Sequence, residues 1–373
     1  MTLPLAHPPE SICLLRLSAL GDVSHIVTIV RTLQTHWPQT RLTWIIGKRE
    51  AELVGDLPGV EFIIFDKRAG FGAHRELRRC LRARRFDVLL HMQVSLRANM
   101  VSRGVGASVR LGFDRARSKD LHGLFINVRI PAARDQHVLD GFFSFLEMLG
   151  LNERELRWDI PVPTQARTIA ERYIPTTQRT LVISPCSSHA KRNWRADRYA
   201  QVADYAAQRW GTRVLLCGGP TIREREYGEV IVHHMRQPPI NLIGRTTVKE
   251  LLALLARVNV LLAPDSGPAH MATGVGTPVI GLYAATNPAR ACPYFSRQWC
   301  VDQYDAAARR YRGKRASELA WGTKLEYPGV MDLIEVNEVI ERLDELMSAN
   351  DINSMLHDPQ EHRIRSAYHG QPE

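Results

Sequence analysis

Ten short apolar runs rich in β-branched residues recur along this chain, with longer segments of helical periodicity between them. That alternation admits few folds. Strands joined by helical crossovers lie parallel, with helices packed on the sheet faces. In the first half the runs are 11–17 (SICLLRL), 41–47, 61–66, 87–92 and 109–113; DVSHIVTIVRTLQTHWP and HRELRRCLRARRF carry helical patterns between them. Residues 158–178, with three prolines and a polar stretch, interrupt the rhythm, which restarts at 180–185, 213–219, 240–245, 258–267 and 276–284. A length of 373 residues is about twice that of a usual domain. The expectation is an α/β protein of two Rossmann-like, doubly wound domains facing a central cleft, residues 1–165 and 166–335. A helix over 336–347 would cross back to the first domain, and 348–373, polar and with little periodicity, would be a flexible tail.

An apolar fraction of 45% is enough for two cores, and no apolar stretch approaches the ~18 residues of a membrane-spanning helix. The N-terminus has no basic n-region, and Arg16 breaks the apolar run behind it, so a signal peptide is not expected. Cysteines 13, 80, 186, 217, 292 and 300 form no CxxC pair and no zinc spacing. Buried, reduced thiols and a cytoplasmic location follow. The net charge of +10 is concentrated: between Lys67 and Lys119 fourteen Lys or Arg face only Glu76, Asp87 and Asp114. Few aromatic residues interleave there, which disfavours nucleic acid and favours anionic lipid headgroups or a phosphorylated acceptor; a merely solvated basic surface is the alternative.

Four loops carry the chemistry. In LSALGDVSHIV (17–27) a strand ends in Gly21 and Asp22, at the carboxyl edge where open α/β sheets bind ligands. Asp22 is there either as a general base or as a helix N-cap. No GxGxxG follows this strand, which counts against a dinucleotide cofactor. In SPCSSHAKRNW (184–194), Ser187, Ser188, Lys191 and Arg192 form a cradle suited to a diphosphate. Beyond Cys217-Gly-Gly-Pro, Glu224, with Glu226 as second choice, can meet ribose hydroxyls. In APDSGPAH (263–270), Asp265 ends a strand, Ser266 and Gly267 turn, and His270 lies in the first turn of a helix whose free N–H groups attract phosphate.

LSALGDVSH, SPCSSHAKRNW, APDSGPAHMATGVGTPVIGLY and TNPARACPY, in that order, resemble the ADP-heptose:lipopolysaccharide heptosyltransferases of glycosyltransferase family 9 over roughly residues 11–345. The likeness is closest to the heptosyltransferase I type, which acts on phosphorylated Kdo–lipid A. It implies a GT-B fold, an N-terminal acceptor domain, a C-terminal donor domain, and an inverting transfer that needs no metal or other cofactor. Asp22 then takes the family's place of general base, and the acceptor is expected at Gly21, His25, Arg97 and Arg117. The partners implied are a nucleotide sugar, the Kdo–lipid A acceptor and the anionic inner-membrane surface, met peripherally. The family's Lys two residues before the Trp is Arg192 here, with Lys191 one step earlier, so either can hold the diphosphate. A transferase using another nucleotide sugar and a non-catalytic nucleotide-binding protein are the competing readings.

Overall fold

The computed structural model describes residues 3–175 and 177–356, and these divide between Pro161 and Val162 into two compact units. The first holds six parallel strands: β1 (Ser11–Leu15), β2 (Arg41–Gly47), β3 (Val60–Phe65), β4 (Phe86–His91), β5 (Ala107–Gly112) and β6 (Val128–Arg129), in the order β3-β2-β1-β4-β5-β6. The second holds β7 (Thr180–Ile183), β8 (Arg213–Leu216), β9 (Ile240–Asn241), β10 (Val260–Pro264), β11 (Val279–Tyr283) and β12 (Val301–Asp302), in the order β12-β11-β10-β7-β8-β9. Counted from its own first strand, each sheet has the doubly wound order 3-2-1-4-5-6.

The central strands are continuous apolar runs because helices bury both faces. β1, β7, β10 and β11 are buried along their whole length. In the first unit Leu15, Leu77, Leu89 and Val101 share one cluster, which packs the helices Phe71–Leu81 and Leu96–Ser102 against the sheet. All ten expected strands form; most are shorter than expected, while β3, β4 and β5 begin one or two residues earlier. β6 and β12, two residues each, are too short to show a period.

Residues 158–178 are more than a linker. Thr164–Tyr173 is a helix with Ala166 and Ala170 buried on one face, and the guanidinium of Arg257 donates to the Ile174 carbonyl at 3.3 Å just past its end. The helix Val336–Leu356 packs on its own unit: Leu343, Leu346 and Met347 enter the second core. The Asp344 carboxylate accepts from Tyr205 Oη and Trp210 Nε1, each at 2.7 Å. This helix continues past Ser348, so the segment expected as a tail begins helical; its remainder, 357–373, lies outside the described residues. None of the helices among the described residues is long and apolar enough to cross a membrane. The thiols are free, as expected, but Cys80 is exposed on the basic helix Phe71–Leu81.

Candidate active site

In a doubly wound sheet the strand order reverses between the first and fourth strands, and the loops leaving their carboxyl ends diverge to open a crevice. In the first unit these loops follow β1 and β4. The helix after β1, Leu20–His36, has Ala19 at its N-cap, with no side-chain cap, and Asp22 as its third residue. The cap role for Asp22 therefore falls. Its carboxylate is ion-paired with Arg16, at the helix end where the dipole favours an anion. Arg16 is fixed in turn: Nη1 donates to the Met92 carbonyl at 2.6 Å, and the guanidinium lies over the Phe142 ring, 5.3 Å from its centroid. The loop between them is held from β4. Gln93 Oε1 accepts from the Leu17 and Ser18 N–H groups at 2.7 and 3.3 Å, and its Nε2 donates to Ser18 Oγ at 3.1 Å. Asp22 keeps about a third of its side chain open to solvent, which an acceptor hydroxyl needs.

The acceptor-side residues are placed less alike. Gly21 is buried in the first helical turn, and His25 is buried one turn on, its ring edge-on to His137 at 6.0 Å. Arg97 is exposed on the helix Leu96–Ser102. Arg117 is committed within its own unit: it pairs with Asp114, donates to Gln136 Oε1 at 2.8 Å and to the Pro131 carbonyl at 3.1 Å, and covers the Phe113 ring. Nearby, His91 Nε2 and His122 Nδ1 both lie 3.0 Å from Asn99 Oδ1. The Phe113 N–H donates to His122 Nε2, and Asn99 Nδ2 donates to the Asp120 carbonyl, so both rings are neutral donors to one oxygen. Burial, then His122, lowers His91 to about 3; burial, then Arg129, lowers His122 to about 4.

In the second unit the reversal lies between β7 and β10, and the expected donor residues meet there. Ser187 Oγ donates to the Asp265 carbonyl at 2.8 Å, and its N–H to Asn193 Oδ1 at 2.8 Å, tying one loop to the other. Ser266 caps the helix Gly267–Gly274 without a side-chain bond to it; its hydroxyl is buried and unpartnered, beside free helix N–H groups. His270 Nε2 stands 3.8 Å from Asp265 Oδ1. Desolvation pushes the pKa of Asp265 upward, but His270, Arg192 and Thr286 outweigh it and leave the group below its ordinary value. Arg192 is nearly buried: Nη1 donates to Asp265 Oδ2 at 3.1 Å, while Nε and Nη2 reach Glu326 Oε1 at 2.9 and 2.7 Å. Lys191 and Ser188 are exposed.

Glu224 is neither a solvated helix residue nor free. Its Oε2 accepts the Gly219 N–H at 2.5 Å and its Oε1 the Thr221 hydroxyl at 3.1 Å, closing the Gly-Gly-Pro turn. A Cβ at Gly219 would stand 2.8 Å from that carboxylate and would displace it from the turn. Glu226, on the same helix, is exposed. Gln93 and Glu326 were not anticipated. Gln93 follows β4 and could be found from the strand-order rule; Glu326 lies 134 residues from Arg192, and no spacing announces it.

Comparison with known proteins gives the family and the fold. Residues 74–320 match the family model described as glycosyltransferase family 9 (heptosyltransferase). The chain is 41% identical to the lipopolysaccharide core heptosyltransferase OpsX of Haemophilus influenzae over 338 residues, 91% of this chain and 97% of that one. Its fold is similar to that of a family 9 glycosyl transferase from Veillonella parvula DSM 2008, with a TM-score of 0.75 at 22% identity, covering 91% of this chain and 98% of the other. It is also similar to that of the E. coli heptosyltransferase WaaC solved with ADP, with a TM-score of 0.66 at 16% identity, covering 90% and 99%.

Proposed function

The chain belongs to glycosyltransferase family 9, the heptosyltransferases, with the GT-B fold, and from that premise we propose that it moves heptose from ADP-heptose to the Kdo region of a lipopolysaccharide inner core. The observation that carries the donor half is the buried, unpartnered Ser266 hydroxyl at a helix N-terminus, with Asp265, Gly267 and His270 around it. A phosphate oxygen satisfies that hydroxyl and the free N–H groups together. Lys191, exposed and close in sequence, adds charge, the hydroxyls of Ser187 and Ser188 add hydrogen bonds, and Glu224 meets the ribose. Negative charge grows on the leaving diphosphate as the glycosidic bond breaks, so these donors bind the transition state more strongly than the ground state.

On the acceptor side, Asp22 takes the proton of the attacking hydroxyl while that oxygen displaces the diphosphate from the opposite face, inverting the anomeric centre. Arg16 and Gln93 keep the carboxylate aimed. The acceptor is the Kdo of a lipid A conjugate, as for the heptosyltransferase I type. The protein works in the cytoplasm at the inner-membrane surface. The helix Phe71–Leu81 supports that contact: Ala73, Leu77 and Leu81 face the core, while Arg75, Arg78 and Arg79 face out beside Phe71, 94% exposed. Arginines with an exposed aromatic suit an anionic bilayer. Incubation with ADP-heptose and Kdo–lipid A, with and without Kdo phosphate, followed by mass spectrometry, tests the reading. One added heptose is expected; ADP binding with no transfer to either acceptor would favour a nucleotide-binding protein instead.

A further inference from the structure

Arg192 stands where the donor loop needs a cation, yet two carboxylates already claim it. Asp265 takes Nη1, and Glu326 takes Nε and Nη2. The trio is one positive charge short of neutral, a poor reception for a nucleoside diphosphate. The balance comes from the segment that supplies Glu326. The Leu325 N–H donates to the Ala285 carbonyl at 2.7 Å, laying residues 324–326 beside the loop that leaves β11. Leu325 is fully buried, while Lys324 on one side keeps its face to solvent and Glu326 on the other reaches Arg192. No ion pair holds the Lys324 ammonium among the described residues. His189 Nε2, 3.5 Å from Glu326 Oε2, joins the same cluster.

We infer that Lys324–Glu326 is a fourth element of the donor site, with Lys324 as a cation that meets the diphosphate and Glu326 as a positioning residue that holds Arg192 against Asp265. The inference rests on the transferase reading above and goes beyond it, since both residues lie past the segment 74–320 matched by the family model. Charge balance supports it: Lys324 brings the cluster of Arg192, Asp265 and Glu326 to neutrality. Desolvation lowers the pKa of Lys324, Arg192 and Arg290 add repulsion, and Glu326 and Asp265 offset only part of this. With that balance, a diphosphate can accept hydrogen bonds from Lys324 and Arg192 without facing a net negative charge.

Calorimetric titration of the full chain with ADP tests the cation role, and steady-state kinetics with varied donor tests the positioning role. Lys324→Ala is expected to weaken ADP binding about ten- to a hundredfold, with an unchanged Tm, and Lys324→Arg to recover most of the loss. Glu326→Ala is expected to raise the donor KM about tenfold with little change in kcat. Glu326→Gln, whose amide oxygen still accepts from Arg192, is expected to recover most of that. Wild-type ADP affinity in Lys324→Ala overturns the cation role. Equal KM in wild type and Glu326→Ala, or equal losses in Glu326→Ala and Glu326→Gln, overturns the positioning role. If the wild-type chain binds no nucleoside diphosphate, the transferase reading falls and this inference with it; ADP binding that neither substitution changes overturns the inference alone.

Discussion

The two units share one strand order but furnish their reversal points with opposite chemistry. In the first, a neutral amide does the joining: Gln93 reaches across from β4 to hold Leu17 and Ser18, and one ion pair, Arg16 with Asp22, carries the charge. Beside it, a buried pair of neutral histidines shares Asn99. In the second, the loops are joined through ions: His189, Glu326, Arg192, Asp265 and His270 run as a chain across the carboxyl edge. The difference fits the division of labour proposed above. A single aimed carboxylate with limited charge around it suits proton removal, whereas an ionic lattice with an unpartnered hydroxyl suits binding a polyanion that replaces some of its contacts.

The sharpest way to break that comparison is Asp22→Asn. Turnover is expected to fall ~10²–10⁴-fold with ADP affinity nearly unchanged, because the loss concerns proton transfer and not donor binding; steady-state rates alongside ADP titration check it, and wild-type-like turnover removes Asp22 from its role. Acid should separate the units next. His91 and His122 stand near 3 and 4 in the fold against 6.5 ordinarily, so below pH 6.5 the unfolded chain binds protons first. Their contribution is complete above pH 6.5 and is lost progressively as pH falls from there toward about 3. Asp265, whose pKa is lowered from 3.8, loses its contribution only below that value. Hydrogen exchange at pH 7 and pH 4.5 should therefore show the first unit opening while the reversal point of the second holds; equal loss of protection in both would contradict the contrast.

Two smaller substitutions sharpen it. Gln93→Ala leaves the Leu17 N–H without its acceptor, with an expected stability loss of about 1–3 kcal/mol in urea denaturation, and a fall in kcat larger than any change in donor KM. Ser266→Ala is expected to leave stability within ~0.5 kcal/mol, since that hydroxyl bonds nothing in the free protein, while weakening ADP binding about tenfold. A stability loss for Ser266→Ala comparable to that for Gln93→Ala would mean that both edges are structural in the same way.

Asp22 shows how far the residues themselves carry. The Gly-Asp turn after an apolar run puts a carboxylate at a helix start, and from there base and cap are equally good readings. The fold removes the cap reading, since Ala19 occupies the cap and Arg16 holds the carboxylate, and the base is what we propose. Arg192 shows the other limit. Its place before Trp194 marks it as a donor-loop cation, but both of its partners are remote in sequence. Glu224 was legible as the carboxylate beyond a Gly-Gly turn, while its bond to the Gly219 N–H was not.

Strand periodicity, glycine turns and the uneven spread of charge are local properties. Through them the amino-acid order alone determined two doubly wound units, ten of their strands and the loops on which chemistry can occur. Which side chain completes which other is a matter of residues 73 to 134 positions apart meeting at a sheet edge. Gln93 holding the Asp22 loop, and Glu326 dividing Arg192 with Asp265, were decided only by the tertiary structure. Hydrogen bonds and ion pairs act over a few ångströms of space and carry no period along the chain.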